Sequence, residues 1–109
     1  MEKPVKGDVV VLPFPFSDLS ASKKRPALIL SSLHGNDFIL AQITSQEKDD
    51  GFSVKLYDSD FVVGALSLES RVRPNKLFTA DAGIILYVAG KIKEQKRLEV
   101  VDKLIELVN

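Results

Sequence analysis

The 109-residue sequence contains no cysteine and no tryptophan, and it has a single histidine, His34. Without cysteine, neither a disulfide framework nor thiolate catalysis is available, and a reducing compartment suits such a chain. One histidine cannot form a zinc site alone, and its place beside Gly35 predicts an exposed turn residue. Fifteen basic residues balance fifteen acidic ones, so the formal net charge is zero. This balance argues against a protein that holds long nucleic acid by charge alone.

Long hydrophobic runs are also absent, since none approaches the roughly 18 residues that a membrane span requires. Residues 1–6 contain no apolar segment of the kind that a secretory signal needs, so we expect a cytoplasmic protein. The sequence shows no repeat, no low-complexity stretch and no linker. We therefore predict one domain over residues 1–109, which can bury a core without a metal or a disulfide.

Short apolar segments rich in β-branched and aromatic residues predict a β-rich (α+β) fold. The predicted strands cover residues 8–16, 27–31, 38–44, 52–56 and 84–92. Pro13 and Pro15 cannot donate ladder hydrogen bonds, so the second half of the first strand should be an edge or a bulge. Residues 33–37 contain the glycine, asparagine and aspartate of a tight turn, which predicts a hairpin. Leu66 and Leu68 alternate with small or polar residues, as in another half-buried strand.

One amphipathic helix is predicted over residues 94–108, because apolar residues recur there at steps of three and four. Its predicted apolar stripe consists of Leu98, Val101, Leu104 or Ile105, and Val108. Gly90 marks a possible bulge in the strand before the helix. Short strands, polar turns and one final helix together predict a small, strongly bent sheet or barrel with the helix on one side.

The basic run Lys23-Lys24-Arg25-Pro26 is the most informative polar feature. It ends a loop predicted over residues 17–24, and Pro26 fixes the backbone where an apolar strand begins. Arg25 should therefore be held more rigidly than the lysines, and its guanidinium could bind a phosphate in bidentate fashion. The run would also suit a solvated loop, so the residues by themselves leave its role open.

Acidic residues are more numerous but poorly gathered. Four of them invite a metal-site interpretation, namely Asp49, Asp50, Asp58 and Asp60. They fall in polar, loop-like segments, where solvated turn residues are the better interpretation. The sequence also lacks the glycine-rich phosphate loops and the nucleophile elbow of serine hydrolases.

A series of motifs resembles the PemK/MazF family of toxin endoribonucleases. In chain order, the motifs are Gly7-Asp8-Val9-Val10-Val11, Pro15-Phe16-Ser17-Asp18, Lys24-Arg25-Pro26-Ala27-Leu28-Ile29-Leu30-Ser31, Ala41-Gln42-Ile43-Thr44-Ser45-Gln46, Gly64-Ala65-Leu66-Ser67-Leu68 and Lys76-Leu77-Phe78-Thr79-Ala80-Asp81. Together with the C-terminal helix, the resemblance spans nearly the whole chain. It implies an SH3-like barrel of bent antiparallel strands, a homodimer, and a toxin that a cognate antitoxin protein neutralises.

The resemblance also implies metal-independent cleavage of single-stranded RNA at short sequences, with no cofactor. Arg25 and Thr44 are the implied catalytic pair, with the arginine stabilising the phosphate while the general base is unassigned. The flanking residues expected to contact RNA are Phe16, Ser17, Asp18, Lys23, Lys24, Ser45 and Gln46.

Two other functions remain open at the level of the sequence. A non-catalytic SH3-like module would bind a peptide or a nucleic acid without cutting it, but such a binder has no need of both Arg25 and Thr44. A gyrase poison of the CcdB family would share the fold. Those toxins look as if they depend on a tryptophan near the C-terminus, and this chain has none.

Overall fold

The computed structural model describes residues 3–14, 23–46 and 50–109. These residues form seven strands: β1 (Asp8–Phe14), β2 (Lys23–Ser32), β3 (Asp37–Thr44), β4 (Val54–Leu56), β5 (Phe61–Gly64), β6 (Ser70–Asp81) and β7 (Tyr87–Ile92). Two 3-10 helices, Asp58–Asp60 and Ala82–Ile84, and one α-helix, α1 (Glu94–Val108), complete the described part of the chain.

The strands form one curled antiparallel sheet in the order β4-β6-β3-β2-β1-β7-β5. The sheet bends at β6, where Pro74, Asn75 and Lys76 have no counterpart on β3. Such a bulge turns a strand, and proline is tolerated there because it has no N–H to donate. The predicted class, a strongly bent antiparallel sheet with a C-terminal helix, is confirmed.

Buried apolar side chains form two clusters, because successive side chains of a strand point to opposite faces of the sheet. Val9 and Leu28 belong to the first cluster, which includes Val100 of α1. Their neighbours Val10 and Ile29 belong to the second cluster. Burial on both faces explains why β1 and β2 read as continuous apolar runs without polar alternation.

Two local predictions from turn and proline chemistry are confirmed. In the β2–β3 hairpin the Leu33 N–H donates to the Asp37 carbonyl at 2.9 Å, and Gly35 has a φ of 75°. His34 is exposed in this turn, as expected. Among the described residues, β1 is paired on its β7 side only as far as Val11, so Pro13 lies in a half-strand whose described partner is β2.

Strand boundaries differ from the predicted ones where pairing is non-local. β2 begins at Lys23, so Lys23 and Lys24 pair with β1 and do not lie in a loop. The predicted strand at Leu66 and Leu68 is wrong, because residues 65–69 lie outside any strand and Leu68 is exposed. β5 and most of β6 were not predicted. Residues 15–22, which include Pro15, lie outside the described residues.

The last strand and its bulge were predicted in part. Residues 82–84 form a 3-10 helix, so β7 begins only at Tyr87. Val9 and Val10 of β1 face Gly90 and Val88, which leaves Ala89 without a counterpart. The bulge expected at Gly90 is therefore present, one residue before the glycine.

Helix α1 has the predicted bounds, and its predicted stripe is confirmed in part, because Val101 and Leu104 pack against the core. Lys96 and Val100 are buried, whereas Leu98 and Ile105 are about half exposed, at 46% and 51%. Charged side chains near the start of the helix have partners outside it, and Arg97 donates to the Leu30 carbonyl of β2. Lys96 Nζ lies 3.4 Å from an Asp60 carboxylate oxygen, for example. Neither α1 nor any other described helix is long and apolar enough to span a membrane.

Candidate active site

An open cleft of about 370 Å³ lies where β2 begins and β3 ends, beside residues 66–70. Five of the site residues predicted from the sequence line this cleft: Lys23, Lys24, Arg25, Thr44 and Ser45. Arg25 and Thr44 are half-buried, while the two lysines and Ser45 are exposed. The cleft therefore has a half-buried floor at Arg25 and Thr44 and a cationic, solvent-facing rim.

The register of β2 and β3 places the two candidate catalytic residues side by side. Ala27 of β2 pairs with Gln42 of β3. Continuing this register by two residues brings Arg25 opposite Thr44, and both residues lie within their strands. Opposed residues of antiparallel strands share a face, with their Cα atoms about 5 Å apart. Two residues that are separated along the chain thus come together at one point of the sheet.

Thr44 has an oriented hydroxyl group. The Gln46 N–H donates a hydrogen bond to Thr44 Oγ1 at 3.2 Å, in the manner of a turn that follows a strand. This bond uses a lone pair of the oxygen and leaves the hydroxyl proton to be donated elsewhere. Because the Gln46 N–H occupies this lone pair, the Thr44 hydroxyl is available as a hydrogen-bond donor.

The remaining predicted contacts are divided between a second cleft and the undescribed part of the chain. Gln46 is exposed and lines an adjoining cleft of about 320 Å³, together with Lys55 and Arg71. Phe16, Ser17 and Asp18 lie outside the described residues.

Sequence reasoning missed several residues that line the clefts. Ser70 is buried, donates its hydroxyl proton to the Leu68 carbonyl at 2.9 Å, and lines both clefts. Tyr87 lines the first cleft from β7. No local pattern marks these residues, because the sheet curvature and the path of residues 65–69 bring them to the cleft.

Two of the four acidic residues considered as metal ligands accept hydrogen bonds from nearby backbone N–H groups. Asp50 Oδ1 accepts hydrogen bonds from the Phe52 and Ser53 N–H groups at 2.9 and 2.8 Å, and Asp60 accepts one from the Tyr57 N–H. Asp58 is exposed, and Asp49 lies outside the described residues. Among the residues that the structure describes, no group of three or more histidine, cysteine or acidic side chains is placed to hold a metal ion.

Replacing Asp50 by asparagine is expected to lower the free energy of unfolding by about 1 kcal/mol at neutral pH. Its backbone hydrogen bond from Phe52, aided by the one from Ser53 and by Arg73, holds the pKa of the Asp50 carboxyl below its usual value. A lowered folded-state pKa means that the carboxylate stabilises the fold above its unfolded pKa of about 3.9, and that this contribution is lost as the pH falls through the folded-state pKa.

Urea unfolding of both proteins over a pH series measures this effect. The difference between the wild type and Asp50→Asn should be constant near neutral pH and should vanish as the pH falls through the folded-state pKa. Asp58→Asn is the matched control, because Asp58 is exposed. A difference that persists unchanged in acid would contradict the assignment.

A cleft that presents an arginine, a threonine hydroxyl and two lysines can hold a phosphodiester and stabilise negative charge on its oxygens. Fold and cleft together define a class: a small curled-sheet protein with a cationic cleft whose donors are of the kind that bind phosphate. The chain matches the family of PemK-like, MazF-like toxins of type II toxin–antitoxin systems over residues 5–108. It belongs to that family, as the motifs predicted.

Three solved structures with the same fold align with this chain over nearly the full length of both proteins. The MazE–MazF complex (Form III) from Deinococcus radiodurans has a TM-score of 0.78 and 22% identity, covering 98% of this chain and 97% of that chain. MazF (Form I) from the same organism has a TM-score of 0.76 and 23% identity, covering 99% and 98%. A mycobacterial endoribonuclease in complex with its cognate antitoxin has a TM-score of 0.75 and 16% identity, covering 96% and 94%. No curated protein matches the chain in sequence.

Proposed function

We propose that this protein is a cytoplasmic toxin that cleaves single-stranded RNA, including messenger RNA, at short sequences and without a metal ion or cofactor. The observation that carries the proposal is that Arg25 and Thr44 line one open cleft in a chain of the PemK-like, MazF-like toxin family. Proteins with the same fold include a mycobacterial endoribonuclease bound to its cognate antitoxin. A homodimer and an antitoxin partner are part of the proposal.

The reaction uses the RNA itself as the nucleophile. The 2′-oxygen forms a bond to the adjacent phosphorus, the bond from phosphorus to the 5′-oxygen breaks, and the products carry a 2′,3′-cyclic phosphate and a 5′-hydroxyl. Negative charge grows on the phosphoryl oxygens during this step. The Arg25 guanidinium and the Thr44 hydroxyl both donate hydrogen bonds to those oxygens, and preorganised donors of this kind supply a large share of catalysis.

The proton balance assigns one further role. The 2′-hydroxyl gives its proton to a general base that is not assigned, and the leaving 5′-oxygen must gain a proton. Arg25 is proposed to donate a hydrogen bond or a proton to this leaving oxygen. DNA has no 2′-hydroxyl, so a DNA strand of the same sequence should remain intact.

The other predicted contacts are proposed to hold the strand around the cleaved bond. Lys23 and Lys24 pair with backbone phosphates from the rim, and Ser45 and Gln46 contact the nucleotides beside the catalytic pair. Phe16, Ser17 and Asp18 are proposed RNA contacts on the resemblance alone.

The antitoxin is proposed to cover the same cleft with an extended or helical segment whose acidic residues pair with Lys23, Lys24 and Arg25. Reversing the charge at these three positions should weaken the complex strongly, which titration calorimetry measures. If the antitoxin binds the triply charge-reversed protein as tightly as the wild type, this docking is refuted.

The test of the function is incubation of the purified protein with long single-stranded RNA in excess EDTA, followed by mapping of the new ends. Discrete cuts with 5′-hydroxyl and cyclic-phosphate ends are expected, and DNA of matched sequence should remain uncut. Intact RNA from a folded protein, over RNAs of varied sequence, would favour a non-catalytic binding module or a gyrase poison.

A further inference from the structure

Two cationic side chains, Arg71 and Lys55, lie in line with the proposed catalytic pair across the sheet. Thr44 of β3 pairs with Arg71 of β6, and Arg71 pairs with Lys55 of β4. Directly paired residues of antiparallel strands lie on the same face. The strand order β4-β6-β3-β2 therefore lines up Lys55, Arg71, Thr44 and Arg25 across four neighbouring strands. With about 4.8 Å between strands, the row is about 14 Å long.

The clefts of the surface follow this row. The catalytic cleft shares Ser45 and Ser70 with the second cleft, which Lys55 and Arg71 line. The second cleft shares Lys55, Glu69 and Ser70 with a third cleft of about 290 Å³, which Tyr57 and Asp58 also line. A strand that lies in the catalytic cleft therefore has a contiguous path to the edge of the sheet at β4.

Tyr57 lies at the end of this path with 54% of its surface exposed. Lys55 Nζ is 5.3 Å from the centroid of its ring. The main chain is held in place, because the Tyr57 N–H donates to Asp60 Oδ2 at 2.7 Å and Asp60 is paired with the buried Lys96. An exposed aromatic ring on a fixed turn, beside a cation, suits the stacking of an unpaired base.

We propose that the β4 edge is a nucleotide subsite, in which Lys55 and Arg71 bind a backbone phosphate next to the cleaved bond and Tyr57 stacks on the base. The inference rests on the proposed RNA cleavage. Lys55 Nζ lies 3.8 Å from the carboxylate of Glu69, whose side chain is 78% exposed. Such surface pairs contribute little to stability, so a phosphate can replace the carboxylate at small cost. A local patch of this kind also reconciles RNA binding with zero net charge.

The phosphate contact is tested on an RNA with one mapped cleavage site, in which single phosphates are replaced by neutral methylphosphonates. The wild type should cleave more slowly when one particular phosphate beside the scissile phosphate is replaced. Lys55→Gln and Arg71→Gln should each cleave the unmodified RNA about tenfold more slowly, the usual effect of one charge-assisted hydrogen bond. Each variant should also lose less rate on that methylphosphonate than the wild type does, because only one of the two cations still contacts the phosphate. Lys93→Gln is the control, because Lys93 is exposed and lines none of the three clefts.

The base contact is tested by removing one base at a time from the same RNA. The wild type should show a raised KM, by about tenfold, for the RNA that lacks the stacked base. Tyr57→Leu should show the same raised KM with the intact RNA. Removing the stacked base from the RNA should not raise the KM of this variant further. Tyr57→Phe keeps the ring and should retain the wild-type KM.

The outcomes separate the subsite from the proposed function. Two outcomes would overturn the phosphate subsite without affecting the proposed ribonuclease activity. One is that the wild type cleaves every RNA with a neighbouring methylphosphonate at the unmodified rate. The other is that a folded Lys55→Gln variant cleaves at the wild-type rate. A folded Tyr57→Leu variant with the wild-type KM overturns the stacking contact. Absence of cleavage of any RNA by the wild type removes both the function and the subsite.

Discussion

Replacing Arg25 by alanine is expected to slow RNA cleavage by about 10²- to 10³-fold, the usual cost of losing one preorganised donor to a developing oxyanion. Thr44→Val, which keeps the shape of the side chain and removes the hydroxyl, should have a similar or smaller effect. Both residues line the same cleft, and the strand register places them opposite each other. Single-turnover cleavage at a mapped site, with RNA in the presence of EDTA, is the measurement.

Conservative variants separate charge from geometry. Arg25→Lys keeps the positive charge but loses the planar fork, so its rate should fall between those of the wild type and Arg25→Ala. Thr44→Ser keeps the hydroxyl and should retain most of the activity. Lys93→Ala is the surface control, because Lys93 is exposed and lies outside the cleft.

Binding of an uncleavable 2′-deoxy oligonucleotide, measured with each variant, shows whether the loss lies in binding or in the chemical step. The catalytic assignment predicts that Thr44→Val binds nearly as well as the wild type. A folded Arg25→Ala protein that cleaves at the wild-type rate would remove Arg25 from the mechanism.

Gly64→Ala is expected to give the largest loss of stability, about 3 kcal/mol in the free energy of unfolding. Gly64 has a φ of +72°, and it pairs with Gly90 where β5 meets β7. A Cβ at Gly64 would lie 2.2 Å from the Ala89 carbonyl oxygen and 2.6 Å from Gly90 Cα. Both are backbone atoms, so the two strands must separate to admit the methyl group.

Gly35→Ala is the matched control for this substitution. Gly35 has a similar φ of +75°, but beyond its chain neighbours no atom of the described residues lies within 4 Å of a Cβ built on it. It should cost only the backbone strain, about 1 kcal/mol. Urea unfolding of the two variants measures the difference. Equal losses would show that the close approach of β5 and β7 has no energetic consequence.

Local chemistry explains which parts of the fold were predictable. Helix α1 follows from an apolar period of three to four residues, and the β2–β3 hairpin follows from its glycine, asparagine and aspartate. These signals are contained in a few consecutive residues. The helix face was predicted only in part, because Val101 and Leu104 pack against the core but the face also includes Lys96, a buried lysine paired with Asp60 that hydropathy cannot reveal.

Strand β6 shows why other elements were missed. It contains Arg71, Arg73, Pro74 and Lys76, and this composition is typical of a loop. It is a strand because β3 and β4 offer their hydrogen-bonding edges on its two sides. Tertiary pairing outweighs intrinsic strand propensity in such a segment.

By itself, the sequence determined the helix, the hairpin, the bent antiparallel class and, through its motifs, the toxin family, and it singled out Arg25 and Thr44 as the candidate catalytic pair. Only the tertiary structure decided that these two residues share a cleft with Ser70. It also decided that Thr44 pairs with Arg71, and Arg71 with Lys55, in one row across the sheet. The physical reason is register. Shifting one strand by a single residue would turn its side chains to the other face of the sheet, and no local run of residues encodes that choice.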